Sequence, residues 1–173
     1  KSDGTKFGKT AGGAVWLDPE KTTPFEFYQF WLNQQDGDVV KFLKYFTFLS
    51  HEEIDALAVE IETQPHLRVA HKRLAEEVTR FVHGQEALDE AIRITEALFT
   101  GEVGSLTVHE IEQGFRNMPQ ASTSREQANL AVWLVDIGIV KSRREAREFI
   151  SNGAITLNGT KVTDVEAVIT PQD

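Results

Sequence analysis

Eight consecutive residues, FEFYQFWL at positions 25–32, limit what this chain can fold into more than any other stretch. Thr23 and Pro24 ahead of them supply a helix cap and a proline suited to the first helical position. Wound as a helix, Phe25, Phe27, Tyr28, Phe30, Trp31 and Leu32 cover most of the circumference. A helix that is apolar nearly all round needs neighbours on several sides. The rest of the chain must provide them.

It provides helices. Val39, Val40, Phe42, Leu43 and Phe46 form a second amphipathic run, and Ser50 with Glu53 makes a capping box for a third. Leu67 to Val82 and Glu86 to Phe99 read as two more, stopped by Gly84 and Gly101, and Thr107 with Glu110 caps another. Strand-like alternation is missing here, so 22–116 is expected to be a helical bundle. The segment NMPQASTS, 117–124, has the composition of a linker. Beyond it, 125–173 reads as a helix through LAVWLVDIG, a helix capped by Ser142 with Glu145, a stop at Gly153, and then AITLNGTKV. Asn158-Gly159 is a favoured type I′ turn, flanked by Ile155 and Leu157 in alternation with Thr156. The expected fold is mainly α: a helical bundle followed by a small α+β domain.

Composition excludes several classes. The 173 residues contain no cysteine, hence no disulfide framework and no thiolate metal site, which fits a reducing compartment. His66 and His71 are five apart, off one helical face, so no metal site is expected. No apolar run approaches a membrane span. Lys1, without an initiator Met or signal-like stretch, suggests an excised chain. A net charge of −9 argues against indiscriminate coating of nucleic acid but leaves room for a local basic patch. Seven acids against Arg93 alone occupy 85–114, whereas Lys141, Arg143, Arg144 and Arg147 lie close together.

Two motifs carry candidate chemistry. The first is GTKFGKT, 4–10, whose end copies a phosphate-binding loop. The spacing fails, because only three residues separate Gly4 from Gly8 and Asp3 stands where glycine is needed. The flanks fail too: KSD is too polar for a buried strand and AGGAVWLDP too glycine-broken for a helix, although VWLDP could form a short strand. What remains, over 1–21, is Lys6 and Lys9 on a glycine-rich loop, by themselves a solvated basic turn. The second motif is the helix after Ser142. At 100° per residue Arg143, Arg144 and Arg147 share an arc of about 100°, with Ala146, Phe149 and Ile150 on the adjoining face. Alone, this pattern reads equally as a surface helix whose arginines pair with Glu145 and Glu148.

SRREAREFISNGAITLNGTKV resembles, along its whole length, the small RNA-binding domain first known from a small-subunit ribosomal protein. That resemblance implies that Arg143, Arg144, Arg147 and Lys161 lie against RNA phosphates. DGTKFGKT, TTPFEFYQFWLN, KFLKYFTFLS, LAEEVTRFVHG and SRREAREFI, in that order, resemble the bacterial tyrosyl-tRNA synthetases over nearly the whole chain. The resemblance makes KFGKT a version of the KMSKS loop of class I synthetases, departing from it at Phe7, Gly8 and Thr10. It implies catalytic roles for Lys6 and Lys9 and ATP contacts from Lys6, Gly8, Lys9 and Thr10. It also implies anticodon recognition near the end of the aromatic helix, for which Asp36 and Asp38 are the matching acids; either could instead cap the next helix. The implied partners are tRNA(Tyr), tyrosine and ATP with Mg2+, with no membrane, in a cytoplasmic homodimer paired through an amino-terminal domain that this chain lacks. No HIGH-type signature or parallel-sheet nucleotide fold precedes Lys1, so the chain alone is expected not to form tyrosyl-adenylate. The tail after the hairpin is short for that family, which leaves a strand edge open. Two other readings compete: a noncatalytic RNA-binding module, which leaves KFGKT unexplained, and a fragment of an RNA-modifying enzyme such as a pseudouridine synthase, which needs a catalytic Asp in a β-rich domain.

Overall fold

The computed structural model describes residues 1–2, 4–10, 13–118 and 128–170, with the backbone alone at 9 and 10. Packing divides the chain into two units, Lys1–Thr95 and Glu96–Asp173.

In the first unit α1 (Pro24–Leu32) starts from a reciprocal cap: Thr23 Oγ1 accepts from the Glu26 amide, and Glu26 Oε2 accepts from the Thr23 amide. Phe25, Phe27, Tyr28 and Trp31 are buried, and Phe30 and Leu32 half-buried, as an all-round apolar helix requires. The unit continues with α2 (Asp36–Phe46), α3 (His51–Thr63), α4 (Val69–His83) and α5 (Gln85–Thr100), of which α2, α4 and α5 meet α1. Helix α4 packs against α1, α2 and α3. It does so through Ala70, His71, Leu74, Ala75, Val78 and Thr79, a stripe at four-residue spacing that one helical face presents. Helix α5 buries Leu88, Ala91 and Ile94, and Gln29 Nε2 of α1 donates to its Thr95 Oγ1 at 2.7 Å. The Ser50–Glu53 capping box forms as its spacing predicts.

Two expectations in this unit need correction. The helix expected from Leu67 is a short 3-10 turn, Pro65–Leu67, and then α4. Arg68 separates them at φ 53, a left-handed conformation uncommon for arginine. Its Nη2 donates to the Leu32 carbonyl at 2.7 Å, satisfying a group left open at the end of α1. The strand expected at VWLDP lies earlier: β1 (Lys9–Thr10) pairs antiparallel with β2 (Gly13–Ala14). A strand needs a partner, and this register sets Gly13–Ala14 opposite the lysine segment. The chain then turns at Asp18, whose carbonyl accepts from the Lys21 and Thr22 amides.

The second unit begins in the last turns of α5 and includes α6 (Val108–Phe115), capped by Thr107 and Glu110 in both directions. Of the expected linker 117–124, residues 119–124 lie outside the described residues. A two-residue strand β3 (Ala128–Asn129) leads into α7 (Leu130–Asp136), where Asn129 Oδ1 accepts from the Ala131 and Val132 amides. Helix α8 (Arg143–Ser151) is capped by Ser142, which accepts from the Glu145 amide, while Glu145 Oε2 accepts from the Lys141 amide at 2.7 Å. The hairpin follows as β4 (Ile155–Leu157) and β5 (Thr160–Val162), with Asn158 at φ 48 and Gly159 at φ 81, the positive pair a type I′ turn requires. The last strand, β6 (Val168–Ile169), pairs antiparallel with β3, a long-range contact that no local periodicity announces. Leu130, Ala131, Leu134, Val140, Ala146 and Ile150 form the buried centre, and Ile155, Val162 and Ile169 pack against it. The fold is therefore mainly helical, with small strand pairs. No helix among the described residues is long and apolar enough to cross a membrane.

Candidate functional site

The lysine segment turns twice within five residues, at Gly4 (φ 77) and Gly8 (φ 75), conformations that glycine adopts without steric cost. Between these turns Lys6 is exposed to solvent. Phe7 beside it is 39% exposed but lays its ring against the bundle. Its ring centroid lies 5.0 Å from Phe42, 5.3 Å from Trp31 and 5.7 Å from Phe30, and it stacks on Phe46 at 5.3 Å and 17°. Aromatic pairs in this range attract beyond the area they bury. Below the loop opens an apolar cavity of about 380 Å³, lined by Phe7, Gly8 and Val15 on one side and Phe27, Trp31 and Phe46 on the other. The loop is thus seated on the aromatic helices. Lys9 and Thr10 sit in β1, where the Val15 amide donates to the Gly8 carbonyl at 3.0 Å and extends the pairing.

A second contact holds the segment upstream of Lys6. The Ser2 amide donates to Asp38 Oδ1 at 2.8 Å and lies 3.1 Å from Oδ2. The Ser2 hydroxyl lies 3.1 Å from Asp38 Oδ2 and 3.3 Å from Gln35 Oε1 and can donate to either. Asp38 is 1% exposed, in the first turn of α2, where backbone amides favour a negative charge. Asp36 stands differently: its side chain is 54% exposed, with Oδ1 3.0 Å from Nε2 of the fully buried His71. That approach is one of proximity rather than an aligned hydrogen bond. Burial holds the His71 pKa below the ordinary histidine value, and the Arg68 cation adds to this, while Asp36 opposes it. Neither acid is the cap of α2, a position that Gln35 occupies.

The cations of the second unit are displayed outward. Arg143, Arg144 and Arg147 are exposed on α8, on the face adjoining the buried Ala146 and Ile150. Phe149, expected on the packing face, is 39% exposed, at the border of the two faces. Arg147 Nη2 approaches Glu166 Oε1 at 3.7 Å, with both side chains more than half exposed, a pairing too solvated to hold the arginine. Lys161, opposite Thr156 in the hairpin, runs its stem across Gly153. A Cβ at Gly153 would stand 2.8 Å from Lys161 Cδ, and the φ of +65 also favours glycine. That glycine both ends α8 and makes room for the lysine beside it.

The pattern of charged residues pointed to Lys6, Lys9 and the four outer cations, but it missed Ser2 and Phe7. Phe7 had a signal: an aromatic residue in the middle of a polar glycine loop is costly to leave in water and so asks for a seat.

Both parts of the chain resemble known proteins. A family described as tRNA synthetases class I (W and Y) matches residues 1–100, and the tyrosine–tRNA ligase SYY-like C-terminal domain matches 110–173. The chain belongs to the family of class I tRNA synthetases (W and Y). It is 66% identical over 173 residues to tyrosine–tRNA ligase 2 of Bacillus cereus and 63% identical over 172 residues to the tyrosine–tRNA ligase of Limosilactobacillus reuteri. These alignments cover 100% and 99% of the chain but 41% of each relative, so the chain spans under half the length of the synthetases it matches. A C-terminally truncated mitochondrial tyrosyl-tRNA synthetase from Aspergillus nidulans superimposes over 50% of the chain and 25% of its own length, at 38% identity and a TM-score of 0.48.

Proposed function

We propose that this chain is the tRNA-binding part of a tyrosine–tRNA ligase that joins tyrosine to ATP and passes the tyrosyl group to tRNA(Tyr). The observation that carries the reading is the seating of the Lys6 segment on the aromatic bundle, in a chain that ends in an arginine-faced domain.

Adenylate formation builds negative charge on the phosphates of ATP as pyrophosphate leaves. Lys6, exposed at the tip of the segment, and Lys9, in β1, are the two ammonium groups brought to that charge, with Gly8 and Thr10 beside them. Lysine suits this as a mobile point charge, and stabilisation that is stronger in the transition state than in the ground state raises kcat. Mg2+ accompanies ATP as part of the substrate. The pocket that orients tyrosine and ATP belongs to the part of the synthetase outside this chain, so the chain alone is expected to be inactive.

For tRNA, Arg143, Arg144, Arg147 and Lys161 supply phosphate contacts, which position the RNA without reading its sequence. Asp36 is the carboxylate that an unstacked anticodon base can reach, since a carboxylate accepts from the Watson–Crick edge of guanine. The complete enzyme acts in the cytoplasm as a homodimer paired through its catalytic domain.

Tyrosine-dependent ATP–pyrophosphate exchange and tRNA(Tyr) charging by the full-length protein test the reading. Lys6→Ala or Lys9→Ala is expected to lower the exchange kcat about 100-fold, the usual scale for one lost electrostatic donor, with the KM for tyrosine unchanged. An equal loss of tyrosine binding would remove the phosphate role. No tyrosine-dependent exchange by the unaltered full-length protein would overturn the function.

A further inference from the structure

Asp38 is a buried carboxylate whose partner is the backbone of a residue 36 positions away, ahead of Lys6. Burying a charge is costly unless hydrogen bonds compensate, and here the Ser2 amide and hydroxyl supply them. The carboxylate, sunk in the first turn of α2, is therefore committed to the lysine segment. Phe7 fixes the same segment immediately after Lys6, through four rings of α1 and α2. The exposed lysine stands between two anchors, a polar one on α2 and an aromatic one shared by α1 and α2.

We propose that Asp38 is a positioning residue for Lys6: its buried carboxylate latches Ser2 to α2 so that the helical bundle sets the path on which the lysine is presented to phosphate. This rests on the reading of Lys6 as the phosphate-stabilising group, and it removes Asp38 from the acids available to an anticodon. A charge held away from its productive position loses rate even when it binds as well, because misplacement of about 1 Å can cost orders of magnitude. The latch therefore acts on kcat of the adenylate step and leaves tyrosine and tRNA affinity alone.

The test uses the full-length protein that carries this chain. Asp38→Asn keeps the shape but removes the charge and one acceptor. It is expected to lower the kcat of tyrosine-dependent ATP–pyrophosphate exchange about tenfold, with the KM for tyrosine and the KM for tRNA in charging unchanged. In a Lys6→Ala background the same substitution is expected to cost nothing further, because a positioning residue has no effect once the group it positions is gone. An undiminished cost in that background would overturn the latch, since a residue that merely supports the fold lowers activity with or without Lys6. A raised KM for tRNA with normal exchange would overturn it too, and return Asp38 to RNA recognition. Should Asp38→Asn fail to fold, Ser2→Pro carries the same expectations, because it removes the donor amide at an exposed position and leaves the bundle interior untouched. Absence of exchange in the unaltered protein is a separate outcome that strikes the function and not the latch alone.

Discussion

Helices α1 and α8 are each nine residues long, and they use those residues in opposite ways. Helix α1 buries Phe25, Phe27, Tyr28 and Trp31, and Trp31 also seats Phe7 of the lysine segment. Helix α8 buries Ala146 and Ile150 and turns Arg143, Arg144 and Arg147 to solvent. In the first unit the packing that stabilises the bundle also holds the loop, so on the proposed reading the interior carries function. In the second unit a small interior supports a helix whose outer face, on the proposed reading, makes the RNA contacts. Substitutions in α1 should therefore disturb stability and activity together, whereas in α8 the two should separate cleanly.

Trp31→Ala presses hardest on this contrast. The tryptophan is 4% exposed and its ring meets those of Phe7, Phe27, Phe30, Phe42 and Phe46. Its truncation is expected to cost about 3–5 kcal/mol by denaturant unfolding, a large part of the stability of an ordinary domain. The full-length variant should also lose exchange activity at temperatures where it remains folded, because Phe7 has lost part of its seat. A stable variant with normal exchange would mean that loop and bundle are independent.

Arg143→Ala with Arg147→Ala presses on the other side. Both side chains are exposed, so the unfolding free energy should change by less than about 0.5 kcal/mol for each. Binding to tRNA should nevertheless weaken, and the slope of log affinity against log salt should fall by about 1.5, as two phosphate contacts cease to release counterions. Titration at several salt concentrations beside a denaturation curve separates the effects. An unchanged slope with reduced stability would make these arginines structural.

What could be read in advance follows the same division. The caps at Thr23, Ser50, Thr107 and Ser142 and the Asn158-Gly159 turn were legible because each is a contact within a few residues. The outward cations of α8 were legible because helical periodicity alone sorts exposed from buried. Local patterns could not reveal that Asp38 faces Ser2, that Phe7 enters the aromatic cluster, or that β6 returns to β3. Those depend on which distant segment arrives, and an aspartate in a first helical turn reads the same whether solvent or another strand of chain meets it. Arg68 shows the limit from another direction: its left-handed turn is stabilised by the Leu32 carbonyl, 36 residues earlier, and nothing around PHLRV announces it.

Acidity probes the contrast most gently. His71 is fully buried on α4, and His83, at the end of the same helix, sets its ring 4.8 Å from Phe27, edge to face. Burial lowers the pKa of both. Because the folded value lies below the unfolded one, the unfolded chain binds more protons between the two values, and stability falls as pH drops through that window. The loss begins near the ordinary histidine value of about 6.5, so between pH 7.5 and 5.5 His71 can cost at most about 1.4 kcal/mol. That range stays above the window of Glu53, whose pKa the Ser50 amide lowers, so carboxylates such as this one do not confuse the reading. Unfolding curves at the two pH values should show the decline, and His71→Gln should flatten it. The double variant with His83→Gln should flatten it further. A decline that survives both substitutions would place the acid sensitivity outside the interior of the first unit. The proposed difference between a bundle that works from its inside and a small domain that works from its surface would then lose its titratable signature.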